Sequence, residues 1–324
     1  MVAQGTMKAV VYHDYGPPDN LELRDVKKPI PGDDEVLIRV CAASVNWHDY
    51  HFLTGTPFLA RIMAGGLLRP KHRILGSDLA GQVEAVGRNV ERIRPGDDVF
   101  GSLGSGGAFA EYVCAREDDL QPKPGETTFE EAAAAGAAAF VALQGLRDKG
   151  GIKAGQSVLI NGASGGVGTF AVQIAKSFGT HVTGVCSARN VDLVRSIGAD
   201  QVIDYTREDC IEAGQIYDLI FDVAAKLSFS ACERILSPKG SYVTTEFSPA
   251  LALQGLWTSA TGDKRMVPLL AKAPSGEDQV SIKELLEAGD VTPVIDRRYP
   301  LNDVPDALRY LAQGHARGKI VIAV

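Results

Sequence analysis

The chain has 324 residues, 45% of them hydrophobic and 23% charged, a composition that excludes disordered, fibrous and disulfide-rich classes. At roughly 150 residues per domain, the length points to about two domains. Thirty-three Lys and Arg against forty Asp and Glu leave a net charge of −7, so there is no global electrostatic footprint for nucleic acid or an anionic membrane, and any anion site must be local.

The N-terminal residues MVAQGTMKAVVYHDYG lack the basic-then-apolar order of a secretory leader, and no apolar window is long enough to span a bilayer. A cytoplasmic protein is the expectation. Cys41, Cys114, Cys186, Cys210 and Cys232 are odd in number and without a C-x-x-C pair, which reads as reduced thiols. Residues 7 to about 125 alternate short apolar runs with PPDN, IPGDD and RPGDD punctuation, the pattern of antiparallel strands joined by tight turns. Within them LTGTPFLARIMAGGLLRPKHRILG carries Arg61, Arg69, Lys71, His72 and Arg73. It reads as a solvated loop or short helix, with a basic rim as the alternative.

From Glu130 the texture changes to the helix-forming EEAAAAGAAAFVALQGL. Then come SVLING, HVTGVC, YDLIFDVA, SYVTTE and RMVPLLA, apolar runs that alternate with helical patterns. Such alternation predicts a doubly wound α/β fold with a parallel sheet covered on both faces. The tail ends in a helix (SIKELLEAG) and a strand (GKIVIAV) that return to the first domain. The expected division is 1–126 with 274–324 as a β-rich domain, and 127–273 as a nucleotide-binding domain.

The most informative segment is SVLINGASGGVGTFAVQIAK. A strand runs into Gly162, Ser164, Gly165, Gly166, Val167 and Gly168, and an amphipathic helix follows. Glycines serve a tight turn, a close approach of backbone to pyrophosphate, and close packing of helix on strand. The helix N-terminus then offers N–H groups and a positive dipole end to phosphate. An NAD site would carry an acid at the end of the next strand, about twenty residues on. That place reads Cys186, Ser187, Ala188, Arg189, Asn190, with hydroxyl and guanidinium donors for a 2′-phosphate, so NADP(H) is the expected cofactor. Tyr205 is placed to cover the adenine end. Ala224 and the Glu246-Phe247 pair fall where later strands end, the usual place for ligands in open α/β sheets, and backbone contacts from Ala224 and Phe247 are expected.

These segments, together with GSDLAGQVEAVG, GAFAEYV and GHARGKIVI, resemble the zinc-free quinone oxidoreductase branch of the medium-chain dehydrogenase/reductase superfamily over essentially the entire chain. The resemblance implies a GroES-like β-rich catalytic domain interrupted by a Rossmann domain, an active site in the cleft between them, and NADPH-dependent hydride transfer to a quinone or activated C=C bond. It also implies a homodimer joined through an edge strand around Met266 to Leu270. Where zinc-dependent relatives place metal ligands, this chain has Asn46, Ser77 and Asp78. Amide and hydroxyl are poor zinc ligands, so no metal is expected. His48 and His51, without a nearby thiolate, read as loop or cleft residues.

The branch sets an Asn near the nicotinamide, which the resemblance assigns to Asn46, and leaves Asp49, Tyr50 and His51 as candidates for polarising the substrate. Enoyl-thioester reductases carry a tyrosine shortly after this loop; Phe58 stands there and cannot donate, which weakens a fatty-acid reading. Val141 replaces a family threonine in FVALQGL. Arg317 and Lys319 precede the last strand, and the resemblance favours contact with cofactor phosphate. The expectation is therefore an NADPH-dependent, zinc-independent quinone reductase acting on a small molecule. The alternatives are an enone or enoyl reductase and a non-catalytic NADPH-binding protein.

Overall fold

A computed structural model describes residues 5–63, 66–104, 106–246, 248–261 and 263–324. The chain divides into two compact units.

The first comprises Met1–Ala137, Ala273–Glu287 and Pro293–Val324. Its opening segment contributes strands β1 (Thr6–Val11), β2 (Glu22–Lys27), β3 (Glu35–Val45), β4 (Asp78–Val86), β5 (Asp98–Ser102), β6 (Tyr112–Arg116) and β7 (Leu120–Pro122). Two short helices, α1 (Trp47–Thr54) and α2 (Phe58–Met63), lie between β3 and β4, and α3 (Phe129–Ala134) follows β7. In β3 the residues Ala42 to Val45 are all buried, because β4 and the last strand flank it and α3 packs across it. Thr128 starts α3 through a capping box, its hydroxyl accepting from Glu131 N while the Glu131 carboxylate accepts from Thr128 N. The packing of α3 on β3 and β4 keeps it with the GroES-like unit, which runs to Ala137 where the expected boundary was residue 126.

The second unit comprises Ala138–Lys272 and Ala288–Thr292. After α4 (Ala137–Leu143), its strands are β8 (Ser157–Asn161), β9 (His181–Cys186), β10 (Gln201–Asp204), β11 (Tyr217–Asp222), β12 (Leu236–Thr244) and β13 (Arg265–Pro268). They form one parallel sheet in the order β10-β9-β8-β11-β12-β13, so the chain reverses direction across the sheet between β8 and β11. Helices α5 (Gly166–Ser177), α6 (Val191–Ser196), α7 (Phe229–Cys232) and α8 (Pro249–Thr261) are interleaved with the strands. Val158, Leu159 and Ile160 are completely buried, as expected for strands covered on both faces. β13 is an edge strand, one residue earlier than expected and ending at Pro268.

Residues 288–292 join this second unit because Thr292 N donates to Gln173 Oε1 and Gln173 Nε2 donates to Thr292 O. The tail then adds α9 (Gly276–Glu287), β14 (Ile295–Pro300), α10 (Val304–Ala312) and β15 (Lys319–Ala323) to the first unit. Val304, Ala307, Leu308 and Leu311 recur at helical spacing and are buried in that unit's core. β15 lies antiparallel to β3, with Ile320 opposite Val45. That register sets Lys319 beside Asn46, the residue after β3.

Candidate functional site

In the Rossmann unit, the end of β8 builds the phosphate turn. Gly162 adopts φ 83°, and the N–H groups of Gly162 and Ala163 both donate to Val185 O. An added Cβ at Gly168 would lie 2.0 Å from Gly162 O, so helix and turn approach as closely as glycine allows. Over Gly165, in contrast, an added Cβ would meet only Gly162 O, at 3.5 Å. Open space thus lies at the N-cap of α5, a helix of 12 residues whose cap makes no side-chain hydrogen bond. The N–H groups of Gly166, Val167 and Gly168 have no intrahelical partner and suit an anion.

The rim of this turn is polar. Ser187 caps a short helical turn, Ala188–Asn190, directly after β9. Asn190, which the sequence reading did not single out, is 5% exposed. Its Nδ2 donates to Ser164 Oγ at 2.9 Å and to Ser187 Oγ at 3.3 Å. Its Oδ1 is buried with no hydrogen-bond partner among the described residues, a state that costs about 1–3 kcal/mol. A ribose hydroxyl would satisfy that oxygen, so the residues fit a nicotinamide dinucleotide. The only local signal for Asn190 was its place four residues beyond β9.

Arg189 is exposed beside these groups. The nearest strand-end acid is Asp204, opposite Cys186 in register. Its carboxylate accepts from Thr206 Oγ1 and N, and these bonds with the Ala188 N–H hold its pKa below the usual range. Tyr205 is 63% exposed and its N–H donates to Cys186 O. Ala224 spends its N–H on Asn161 O, so only its carbonyl is left for the expected backbone contact. Phe247 lies outside the described residues.

In the GroES-like unit, Asn46 and Asp78 belong to a buried network. Asp78, fully buried, accepts from Asn46 Nδ2 (2.8 Å), Ser44 Oγ (3.0 Å), Ser102 Oγ (2.8 Å) and Ala137 N (2.9 Å). Lys319, 3% exposed, donates to Asn46 Oδ1 at 2.5 Å and lies 3.7 Å from Asp78 Oδ2. Burial depresses its pKa, with Asp78 and Asn46's neighbour Asp49 acting against the shift. Gly136 makes room: a Cβ there would stand 2.3 Å from Asp78 Cγ.

This arrangement corrects two expectations. Lys319 is not a strand-edge cation reaching for cofactor phosphate, because its register on β3 turns it inward onto Asn46 and Asp78. Asn46 does not present a free amide, because its side chain bridges Lys319 and Asp78.

Asp49 is corrected as well. It is 1% exposed, with Oδ2 accepting from Asn46 N and Oδ1 from Gly76 N. Both oxygens hold backbone, and desolvation raises its pKa despite the opposing His48. Its work is to fix the start of α1. Tyr50 is half-buried and packs edge-on against Trp47 at 5.8 Å. His51 turns to the following loop, its Nδ1–H donating to Thr56 O at 2.7 Å. Arg317 is exposed, and its backbone N–H donates to Asp296.

On α1 the histidine that lines a cavity is His48. Its Nε2 lies 2.6 Å from Ser77 Oγ, and its ring packs on Phe52 one helical turn later, at 5.9 Å. That i,i+4 pair was the available sequence signal. Among the described residues, no group of three or more His, Cys, Asp or Glu is placed to hold a metal ion. Amide, hydroxyl and a carboxylate already taken up by four donors make a poor donor set for zinc.

The chain matches the alcohol dehydrogenase GroES-like domain over residues 32–125 and the family described as zinc-binding dehydrogenase over residues 197–322. It is 35% identical to the chloroplastic quinone-oxidoreductase QR1 of Triphysaria versicolor, over 98% of this chain and 98% of that protein. It is 33% identical to the mitochondrial NAD(P)H oxidoreductase RTN4IP1 of Mus musculus, over 90% of this chain and 82% of that protein. The solved quinone oxidoreductase from Coxiella burnetii superposes with a TM-score of 0.86 at 31% identity, covering 99% of this chain and 100% of that one.

Proposed function

The chain belongs to the quinone oxidoreductase branch of the medium-chain dehydrogenase/reductase superfamily and is an oxidoreductase that uses a nicotinamide cofactor, and from that premise we propose that it reduces a quinone-type acceptor with NADPH and without zinc. The observation that carries the coenzyme preference is the end of β9. Ser187 and Arg189 stand there in place of a carboxylate, beside the unsatisfied Asn190 oxygen. A guanidinium and a hydroxyl favour a 2′-phosphate, which an acid would repel.

Bound there, the cofactor supplies a hydride; the protein supplies placement and polarisation. Gly166, Val167 and Gly168 would hold the pyrophosphate through backbone N–H groups, with Gly165, whose own N–H donates to Gly162 O, leaving the space for it. Ser164, Ser187, Arg189 and Asn190 hold the phosphorylated ribose, and Tyr205 covers the adenine. On the acceptor side, the Lys319–Asn46–Asp78 network fixes α1 where zinc-dependent relatives use metal ligands, which supports metal independence. Cytoplasmic placement and a homodimer formed along β13 belong to the same proposal.

The test compares NADPH with NADH against 1,4-benzoquinone in native protein and in Arg189→Ala. Native protein should prefer NADPH in kcat/KM. The variant should raise KM for NADPH by about 10- to 100-fold, the worth of a charged hydrogen bond of about 1.5–3 kcal/mol, with kcat and KM for NADH little changed. Equal use of both coenzymes by the native protein would remove the NADPH assignment.

A further inference from the structure

The GroES-like unit contains a cavity of about 160 Å³ whose wall includes Tyr12, His48, Phe52, His72, Ser77 and Leu103. Cavities of about 150 Å³ lined by apolar side chains take up benzene. This one therefore accommodates a single six-membered ring, and any larger substituent must lie outside it.

Its polar groups are built for proton delivery. Ser77 Oγ stands 2.6 Å from His48 Nε2 and 3.4 Å from Asp78 Oδ1. When His48 carries a proton on Nε2 it donates to Ser77 Oγ and leaves the Ser77 hydrogen for Asp78 or the cavity; when Nε2 is bare, the Ser77 O–H donates to it instead. The Asp49 carboxylate faces the same ring nitrogen, at 3.6 Å, so serine and acid are not held on opposite nitrogens as a nucleophilic triad requires. The His48 side chain is 36% exposed, which gives it access to water for reprotonation. Tyr12 is 1% exposed and lines the cavity. Burial, with Tyr15 and Asp49 nearby, pushes its pKa upward; it remains a neutral phenol that can donate a hydrogen bond.

We propose that His48, acting through Ser77, protonates the oxygen of a single-ring quinone bound in this cavity, with Tyr12 as a second donor that orients the ring. The proposal rests on the reductase reading above. Hydride transfer from the dihydronicotinamide brings two electrons and one hydrogen to the quinone and leaves a hydroquinone monoanion. The Ser77 O–H bond then breaks as the O–H bond of hydroquinone forms. His48 Nε2–H passes to Ser77 Oγ, and the imidazolium becomes imidazole. Water reloads the ring, so NADPH, one proton and quinone become NADP⁺ and hydroquinone. The titratable and charged groups around His48 are Asp49 on α1, Tyr12 beyond β1, His72 before β4, Asp78 behind Ser77, and Lys319 of β15 beside Asp78.

The test measures kcat for 1,4-benzoquinone against pH in native protein, His48→Gln and His72→Gln. His48→Gln should lower kcat by about 100-fold, the low end for a general acid. It should leave KM for NADPH as in native protein, abolish the decline of kcat toward high pH, and recover in part with added imidazole. A native-like pH profile in His48→Gln, or a decline that disappears in His72→Gln instead, would overturn the proposal. A second arm needs no turnover: hydroquinone titrated into cofactor-free native protein should shift the imidazole resonances of His48. No shift at saturating hydroquinone overturns the proposal, even where a native protein inactive with every acceptor has separately removed the reductase reading.

Discussion

The two units build their sites from different materials. The Rossmann unit relies on backbone: Gly162, Gly165 and Gly168 shape a turn held by main-chain hydrogen bonds, to one another and to Val185 on the neighbouring strand. The GroES-like unit relies on side chains brought from far apart. Asn46 and Asp78 are 32 positions apart and Asn46 and Lys319 are 273 apart. A backbone site tolerates change around it and fails when a methyl enters it. A buried charge network fails when any one partner is removed.

The largest expected effect tests the network. Lys319→Met should destabilise the GroES-like unit by about 3–5 kcal/mol, because Asp78 is left buried without its cation. Denaturant unfolding followed by a probe in that unit measures it. Asp78→Asn added to Lys319→Met should recover part of the loss; strictly additive losses would mean the two residues do not act as a pair.

The backbone side is sharpened by two alanines. Gly168→Ala drives a Cβ toward Gly162 O at 2.0 Å and should cost about 2–4 kcal/mol in Rossmann-unit stability through overpacking. Gly165→Ala has room for its methyl in the protein, and stability should stay within about 0.5 kcal/mol of native. NADPH affinity, read by fluorescence titration, should still fall by about tenfold or more, because the methyl enters the space left for phosphate. If Gly165→Ala binds NADPH normally, the open space at the N-cap of α5 is not the cofactor's.

The smallest effect concerns the staple behind α5. Burial alone would raise the Asp200 pKa, but the Lys176 ammonium, the Val182 N–H and His181 together hold it below its ordinary 3.8. A carboxyl depressed in the folded state contributes stability above its unfolded pKa and loses it as pH falls through the folded value. Asp200→Asn should therefore cost about 1 kcal/mol at pH 7, discounted for solvent exposure. The gap to native should close progressively once the pH drops below 3.8. A gap independent of pH would assign the loss to packing.

The same contrast decides what the sequence discloses. The phosphate turn and the doubly wound sheet were legible because glycine spacing and apolar periodicity are local signals. Ser187 and Arg189 could be placed by counting from the turn. Lys319 was misread because GKIVIAV alone looks like a strand with a charged edge; only pairing with β3 shows that its ammonium is enclosed. Asp49 looked like a free acid beside Tyr50 and His51 until the backbone N–H groups of Asn46 and Gly76 took its two oxygens. His48 was passed over for His51 because facing is set by the helix direction, which a list of neighbouring residues does not contain. Asn190 stands out only once burial leaves one of its atoms without a partner.

The most direct measurement of the account is NADPH consumption by chelator-treated protein, with product identified, against 1,4-benzoquinone, an α,β-unsaturated ketone and an enoyl thioester. The account predicts turnover that survives the chelator and forms hydroquinone fastest. Activity lost with the chelator and restored by zinc, or saturation of the alkene substrates with benzoquinone left unreduced, would contradict it.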